Sequence, residues 1–450
     1  MQNQPVYQNF LFDSVLRADQ IISLLADLSH TVYLNNHGKP VIGILAEEYF
    51  YLQNGSIFHC QPESIDCYQS TQIKHLPDFS FNTALTHHNN SFTGGLMGFV
   101  SYDHAASQQI SLKNKAQPAY FLGNFSSYIC LQEDGWYFCS SHKDAELQYN
   151  YLKQRVSNKT SATSIPFHLT KACAARWTAQ QYQNAFMQVQ EYIKAGDCYQ
   201  INLTQEFKGQ AAGQLLQCAE KFWQLTQAPY EGYLRIGEFE LLSCSPELFI
   251  DFKEQRQVVT KPIKGTMPRY SDHNLDQQSK ETLKNSEKDQ AENVMIVDLL
   301  RNDLSIYAET GSVKTPKLFN IESFQQVHHM VSEVEATLKQ EVNPFDMLLS
   351  ALPGGSITGA PKIRAMQIID ELEQAPRGAY CGSMGYFNHD GTGSWNILIR
   401  TVQKYQNNLS LWAGGGITIA SDCDAEYQEC FDKVSAMLSL LNTWYQPESN

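Results

Sequence analysis

Positive charge is scarce in this 450-residue chain. Lys and Arg number 33 against 47 Asp and Glu, a formal net charge of −14. No basic stripe is present, so no nucleic-acid partner is expected, because phosphate backbones need clustered Lys and Arg. No apolar run approaches the ~18 residues of a transmembrane helix, so no membrane association is expected either. The N-terminus lacks a basic segment followed by an apolar one, so no secretory signal is expected there. Eleven cysteines are scattered without a CxxC pair, which removes the usual zinc and redox spacings. Free thiols in a reducing cytoplasm are the expectation. Charge of either sign is sparse, at 18% of residues, while hydrophobic residues reach 42% and aromatics 12%. That composition supplies a large core and excludes disorder.

Three regions follow from the patterning. Residues 1–155 read as short strands and turns, such as Thr31-Val-Tyr-Leu and Val41-Ile-Gly-Ile-Leu. Residues 156–170 form a linker, within the polar stretch that starts at Lys153. Residues 171–445 mix strands with longer helices. Strands are expected near 232–236, 239–244, 247–252, 256–260, 382–388, 394–403 and 409–419. Helices are expected at 178–195, 214–225, 286–304, 343–351, 361–373 and 424–444. Strands come in runs with helices between them, so the fold class is α+β with large antiparallel sheets.

Six segments carry chemistry. On the helix after Ser286, the residues Asp289, Glu292, Ile296 and Leu299 share one face, so two acids head an apolar stripe. On the last helix, Glu426, Glu429 and Lys433 share a flank beside the core stripe of Tyr427, Cys430, Phe431, Val434, Leu438 and Leu441. Ahead of that helix, Gly414-Gly-Gly interrupts a strand, where glycine allows close approach of a ligand or of another backbone. Acids from two helices could hold Mg²⁺, which takes one or two carboxylates plus water and substrate oxygens. Two amphipathic surface helices would give the same pattern. Leu352-Pro-Gly-Gly-Ser-Ile-Thr-Gly-Ala-Pro is a Gly-rich loop entering a helix, a start that suits an anion, or an ordinary capped turn. Lys264, in Pro262-Ile-Lys-Gly-Thr, and Glu247, in Ser245-Pro-Glu-Leu, stand at strand ends. Burial would make the first a nucleophile and the second a general acid.

Together these segments resemble the chorismate-utilising enzymes, which form anthranilate, aminodeoxychorismate, isochorismate or salicylate. The resemblance is densest from about 170 to 442 and extends to Gly94-Gly-Leu-Met-Gly-Phe-Val-Ser-Tyr-Asp. It implies two large sheets packed together with helices outside. Members that add water carry lysine at the position of Gln200, whereas glutamine there points to an amine nucleophile. PIKGT, in place of PIAGT, points to the aminodeoxychorismate-forming branch. Anthranilate formation and a non-catalytic binding role are the alternatives.

The implied transferase mechanism has Lys264 attack C2 of chorismate while Glu247 protonates the departing C4 hydroxyl. Ammonia then adds at C4. Glu292 and Glu429 match Mg²⁺ ligands, and Asp289 and Glu426 the acids behind them. Arg400, Tyr386, the Gly414, Gly415 and Gly416 backbone and Lys433 match substrate contacts. His329 matches the histidine beside the leaving group, and Ser356 and Thr358 lie in the ligand loop. Ala420 and Asp289 depart from the usual aspartate and glutamate. No cysteine sits in a GxCxG elbow, so a separate glutamine amidotransferase subunit is expected to supply the ammonia, for p-aminobenzoate and folate synthesis.

Overall fold

The computed structural model describes residues 7–82, 91–157, 165–324 and 327–446. The expected linker therefore falls partly outside the described residues, at 158–164. Among the described residues two twelve-stranded sheets dominate, and their strand pairs are antiparallel; in each, eleven strands follow one path and the twelfth pairs off it, Gly359–Ala360 on Gln200–Ala212 and Lys314–Ser323 on Val327–Thr337. The first sheet runs Tyr7–Asp13, Gly135–Ser140, Ser127–Leu131, Lys39–Gly43, His30–Asn36, Tyr230–Ile236, Phe239–Ser245, Thr401–Tyr405, Asn408–Ile417, Gln200–Ala212 and His168–Ala175. The second runs Ile263–Pro268, Val327–Thr337, Gln257–Thr260, Leu248–Phe252, Gly393–Asn396, Ser383–Asn388, Gly95–Val100, Tyr120–Phe125, Glu48–Gln53, Ser56–Ser64 and Cys67–Ile73. Strands from before residue 155 and from after residue 170 thus share both sheets.

The two sheets pack face to face. Successive strand residues point to opposite faces, so each strand feeds two cores. Tyr233 joins the core under the helices, while its neighbour Leu234 joins the core between the sheets. That middle layer holds Val32, Leu34 and Leu241 from one sheet against Met97, Phe99 and Phe121 from the other. Helices Ala18–Leu24, Leu216–Thr226 and Ser435–Asn442 cover the first sheet's outer face. Helices Glu287–Ser305 and Pro344–Ala351 cover the second. The expected α+β fold, with helices outside, is the observed one.

Most expected elements stand within one or two residues of their observed bounds. The long last helix is two: Cys423–Asp432 and Ser435–Asn442. Val434, with φ −126° and ψ 1°, breaks the helix between them and is itself buried. The expected strand 394–403 is also two, Gly393–Asn396 and Thr401–Tyr405. Between them the chain leaves the second sheet for the first, and Arg400 adopts φ +50°. A similar crossing joins Phe239–Ser245 to Leu248–Phe252 through Pro246 and Glu247.

Candidate active site

A cavity of about 390 Å³ opens where these two crossings meet. Glu247 stands on one crossing and Arg400 on the other. The Ile397 N–H donates to the Glu247 carbonyl (3.1 Å), and the Cys244 N–H to the Arg400 carbonyl (3.1 Å). Ser245 Oγ donates to the Ile397 carbonyl at 2.5 Å. These bonds fix one crossing against the other. The Arg400 guanidinium makes no hydrogen bond or ion pair among the described residues. Its charge faces the cavity uncommitted.

Glu247 is 8% exposed. Burial pushes its carboxyl up to about 7, against the opposing pull of Lys264, the Ile263 N–H, Lys433 and Arg400. It can therefore hold a proton near neutrality, as a general acid must. His329 is held well below the usual imidazole range, at about 4, first by burial and then by Arg400. Thr266 Oγ1 engages its Nδ1 at 2.8 Å. The ring is neutral and fixed in orientation.

Lys264 enters from Ile263–Pro268, an edge strand whose register slips between Ile263 and Thr266. Gly265 makes that slip possible. Its φ is +79°, and a Cβ there would lie 2.8 Å from Asp289 Cγ. Only glycine combines that backbone with so close an acid. Lys264 Nζ is 3.8 Å from Glu292 Oε2.

Ser286 caps the helix Glu287–Ser305 by accepting from the Asp289 N–H (3.3 Å). The cap starts the helix where Asp289 and Glu292 turn into the cavity and Ile296 into the core. Asp422 caps Cys423–Asp432 in the same way, through the Ala425 N–H. Glu426 and Glu429 then face Gly415, where a Cβ would lie 2.8 Å from Glu426 Oε2 and 3.0 Å from Glu429 Oε1. Ser421 Oγ donates to Glu426 (2.7 Å). Lys433 bridges Glu429 (2.6 Å) and the Gly414 carbonyl (2.7 Å).

Among the described residues, no three acid, histidine or cysteine side chains converge as a complete metal site. The four acids nonetheless suit Mg²⁺. They are hard oxygen donors on two facing helices, and a cation that keeps water and ligand oxygens needs only one or two of them.

The cavity brings together most of the residues expected from sequence: Glu247, Lys264, Asp289, Glu292, His329, Ser356, Arg400, Gly414–Gly416, Glu426, Glu429 and Lys433. Three do not line it. Tyr386 lies in the inter-sheet core and borders a different cavity beside His37 and Asp251. The cavity-lining tyrosine is Tyr380, in the turn before that strand, stacked on Trp412 with ring centroids 5.8 Å apart. Thr358 is fully buried and bonds back to the Gly354 carbonyl (3.0 Å). The start of the helix Lys362–Glu373 does not face the cavity; Ser356 and Ile357 do. Gln200 sits one layer behind the wall, where a Cβ on Gly416 would lie 2.5 Å from its Nε2. Both of its amide atoms are buried without a hydrogen-bond partner. Sequence reasoning missed Asn202, Thr266, Lys288 and Tyr380. For Tyr380 a signal exists in Gly378-Ala-Tyr-Cys-Gly, a tyrosine flanked by glycines.

A family model described as chorismate binding enzyme matches residues 33–439. The chain belongs to the chorismate binding enzyme family. It is 42% identical to aminodeoxychorismate synthase component 1 of Salmonella typhimurium, over 77% of this chain and 76% of that protein. It is 40% identical to the Escherichia coli protein of the same name, over 78% and 77%. Anthranilate synthase component I from Streptococcus pneumoniae shares its fold, with a TM-score of 0.76 at 25% identity over 89% of this chain and 92% of that one. A menaquinone-specific isochorismate synthase from Escherichia coli, at 18% identity and a TM-score of 0.68, shares the fold alone. The family match runs through every cavity-lining segment. No helix of the described residues is long and apolar enough to cross a membrane.

Proposed function

We propose that this chain is the chorismate-converting component of an aminodeoxychorismate synthase, a transferase that forms 4-amino-4-deoxychorismate from chorismate and ammonia. The observation that carries the reading is one cavity holding an amine, Lys264, a protonatable buried acid, Glu247, and an uncommitted cation, Arg400. The two similar component 1 proteins support the choice of product.

Chorismate is a dianion. Arg400, Lys433 and the Gly414–Gly416 backbone receive its carboxylates. The Lys264 amine attacks C2, forming a C2–N bond. Both ring double bonds shift, and the C4–O bond breaks as Glu247 gives its proton to the departing hydroxyl, which leaves as water. Ammonia then forms a C4–N bond, both double bonds shift back, and the C2–N bond to Lys264 breaks. Glu247, now a carboxylate, accepts the proton that the new amine sheds. Two allylic displacements place the amine on the carbon that lost the hydroxyl. The neutral His329 orients the leaving group.

Glu292 and Glu429 would hold Mg²⁺, with Asp289 and Glu426 behind them. When bound, the ion neutralises a substrate carboxylate. Ammonia comes from a separate glutamine amidotransferase subunit, a reading supported by the component 1 names of the relatives. We place the reaction in the cytoplasm, in keeping with eleven unpaired cysteines.

The test is product identification. Purified chain with chorismate, Mg²⁺ and ammonium is expected to yield aminodeoxychorismate, which an added lyase converts to p-aminobenzoate. Fluorescent anthranilate formed without a lyase overturns the assignment.

A further inference from the structure

Arg377 is among the largest fully buried side chains of the chain, at 1% exposed. It does not line the cavity, yet its guanidinium touches three residues that do. Nη2 donates to the Asn202 carbonyl (2.7 Å) and Nη1 to the Ile357 carbonyl (2.9 Å). Its flat face lies 5.8 Å from the Tyr380 ring and 4.7 Å from the Tyr102 ring. Asn202, Ile357 and Tyr380 come from three separate segments: the long strand Gln200–Ala212, the Gly-rich loop and the turn before Ser383–Asn388.

The guanidinium is itself held. Nε and Nη2 form a bidentate pair with Glu373, at 2.9 and 2.7 Å. Glu373 is also 1% exposed, and its Oε1 accepts from the Thr204 N–H (2.9 Å) and the Thr204 hydroxyl (2.6 Å). Arg377 leaves no room for error in its own backbone. The Ala379 N–H is held by Gln403, whose amide in turn donates to the Arg377 carbonyl (2.9 Å).

Burying an ion pair yields little net stability, because desolvation offsets attraction. Its distinctive yield is geometry. A planar fork accepts only one arrangement of its partners, which a lysine cannot reproduce. We infer that Arg377, seated by Glu373, is a positioning residue that sets the relative placement of Asn202, Ile357 and Tyr380, and so the shape of the wall that receives the substrate. This deepens the proposed function and rests on it. Misplacing a wall by a fraction of an ångström weakens binding of the substrate without removing any group that acts on it.

The experiment measures steady-state constants, calorimetric chorismate affinity and thermal melting on the full chain with Mg²⁺ and ammonium. R377K keeps the charge and loses the fork. KM and Kd for chorismate are expected to rise at least tenfold, with kcat within threefold of wild type. A lowered Tm with unchanged KM and Kd marks a merely structural role and overturns the inference, as does a fall in kcat alone. If R377K is insoluble, T204V decides. It removes one donor that seats Glu373 and keeps the side chain's shape. A rise of about threefold in KM and Kd with kcat unchanged supports the inference, and unchanged KM and Kd refute it. If wild-type protein neither binds nor converts chorismate, the proposed function itself fails, an outcome distinct from equal KM in wild type and variant.

Discussion

Glu247→Gln isolates the proton that the proposed chemistry needs. The carboxyl is raised from 4.5 to about 7, so the folded state binds this proton more tightly than the unfolded chain does. The sign of the linkage follows. Stability is complete below about pH 4.5, falls as pH rises through the interval, and is lowest above about pH 7. A gap of that size corresponds to ~3 kcal/mol, and at 8% exposure little of it is screened away. Glutamine is neutral at every pH and can accept the same Ile263 N–H. E247Q should therefore be the more stable protein at pH 8, and the two should melt together at pH 4.5. A 450-residue chain has an unfolding entropy of roughly 0.9 kcal/mol/K, so the gain at pH 8 is about 3 °C in Tm. Activity moves the other way. Removing a general acid costs about 10²–10⁴ in kcat, while KM should change little, because the shape is kept. In wild type, kcat/KM should fall as pH rises through about 7, when Glu247 loses its proton. The limb in kcat should lie higher, since a bound dianion opposes ionisation further. Scanning calorimetry at two pH values and a pH–rate profile check all of this. E247Q that melts no higher than wild type at pH 8, or that keeps activity within tenfold, refutes the assignment.

Lys264→Ala should lose at least a thousandfold in kcat. In intact-mass spectra, wild type given chorismate without ammonia should gain an adduct that K264A never forms. Glu292→Ala should raise the half-saturating Mg²⁺ concentration at least tenfold, and an unchanged Mg²⁺ titration sinks that role. Tyr380→Phe should raise the KM for chorismate, whereas Tyr386→Phe should leave it alone. Equal effects of the two would restore the sequence-based choice of Tyr386.

The helices were legible where a cap and a stripe agree. Ser286 followed by Asp289, Glu292 and Ile296 states both the start of a helix and the face it buries. The long strand Gln200–Ala212 was not legible, because polar residues are buried among its apolar ones. Gln200, Thr204, Gln205 and Glu206 are all at most 2% exposed. Alternation of apolar and polar residues cannot reveal such a strand. Glu206 and Thr204 meet charged or polar partners, most of them far away in the chain, whereas the Gln200 amide has no hydrogen-bond partner among the described residues. Glu206 is met by Lys115 and Lys208 at 3.0 Å and by Arg176 at 3.6 Å, and Thr204 by Glu373.

The two tyrosines show where reasoning from the chain stops and geometry begins. Tyr386 lies inside a regular strand, Ser383–Asn388, paired on both sides with Gly95–Val100 and Gly393–Asn396. A side chain within such a strand is committed to one of two faces, and this one is turned into the core between the sheets. Tyr380 lies before the strand begins, where the Ala379 N–H is held by the Gln403 side chain and the Gly382 N–H by a turn bond to the Ala379 carbonyl, rather than by a ladder. Its ring can therefore stack on Trp412 and border the cavity. The same rule covers Glu247 and Arg400. Both stand where the chain leaves one sheet for the other, off the two-residue period, and there a buried charge can point along the seam between sheets instead of into a packed face.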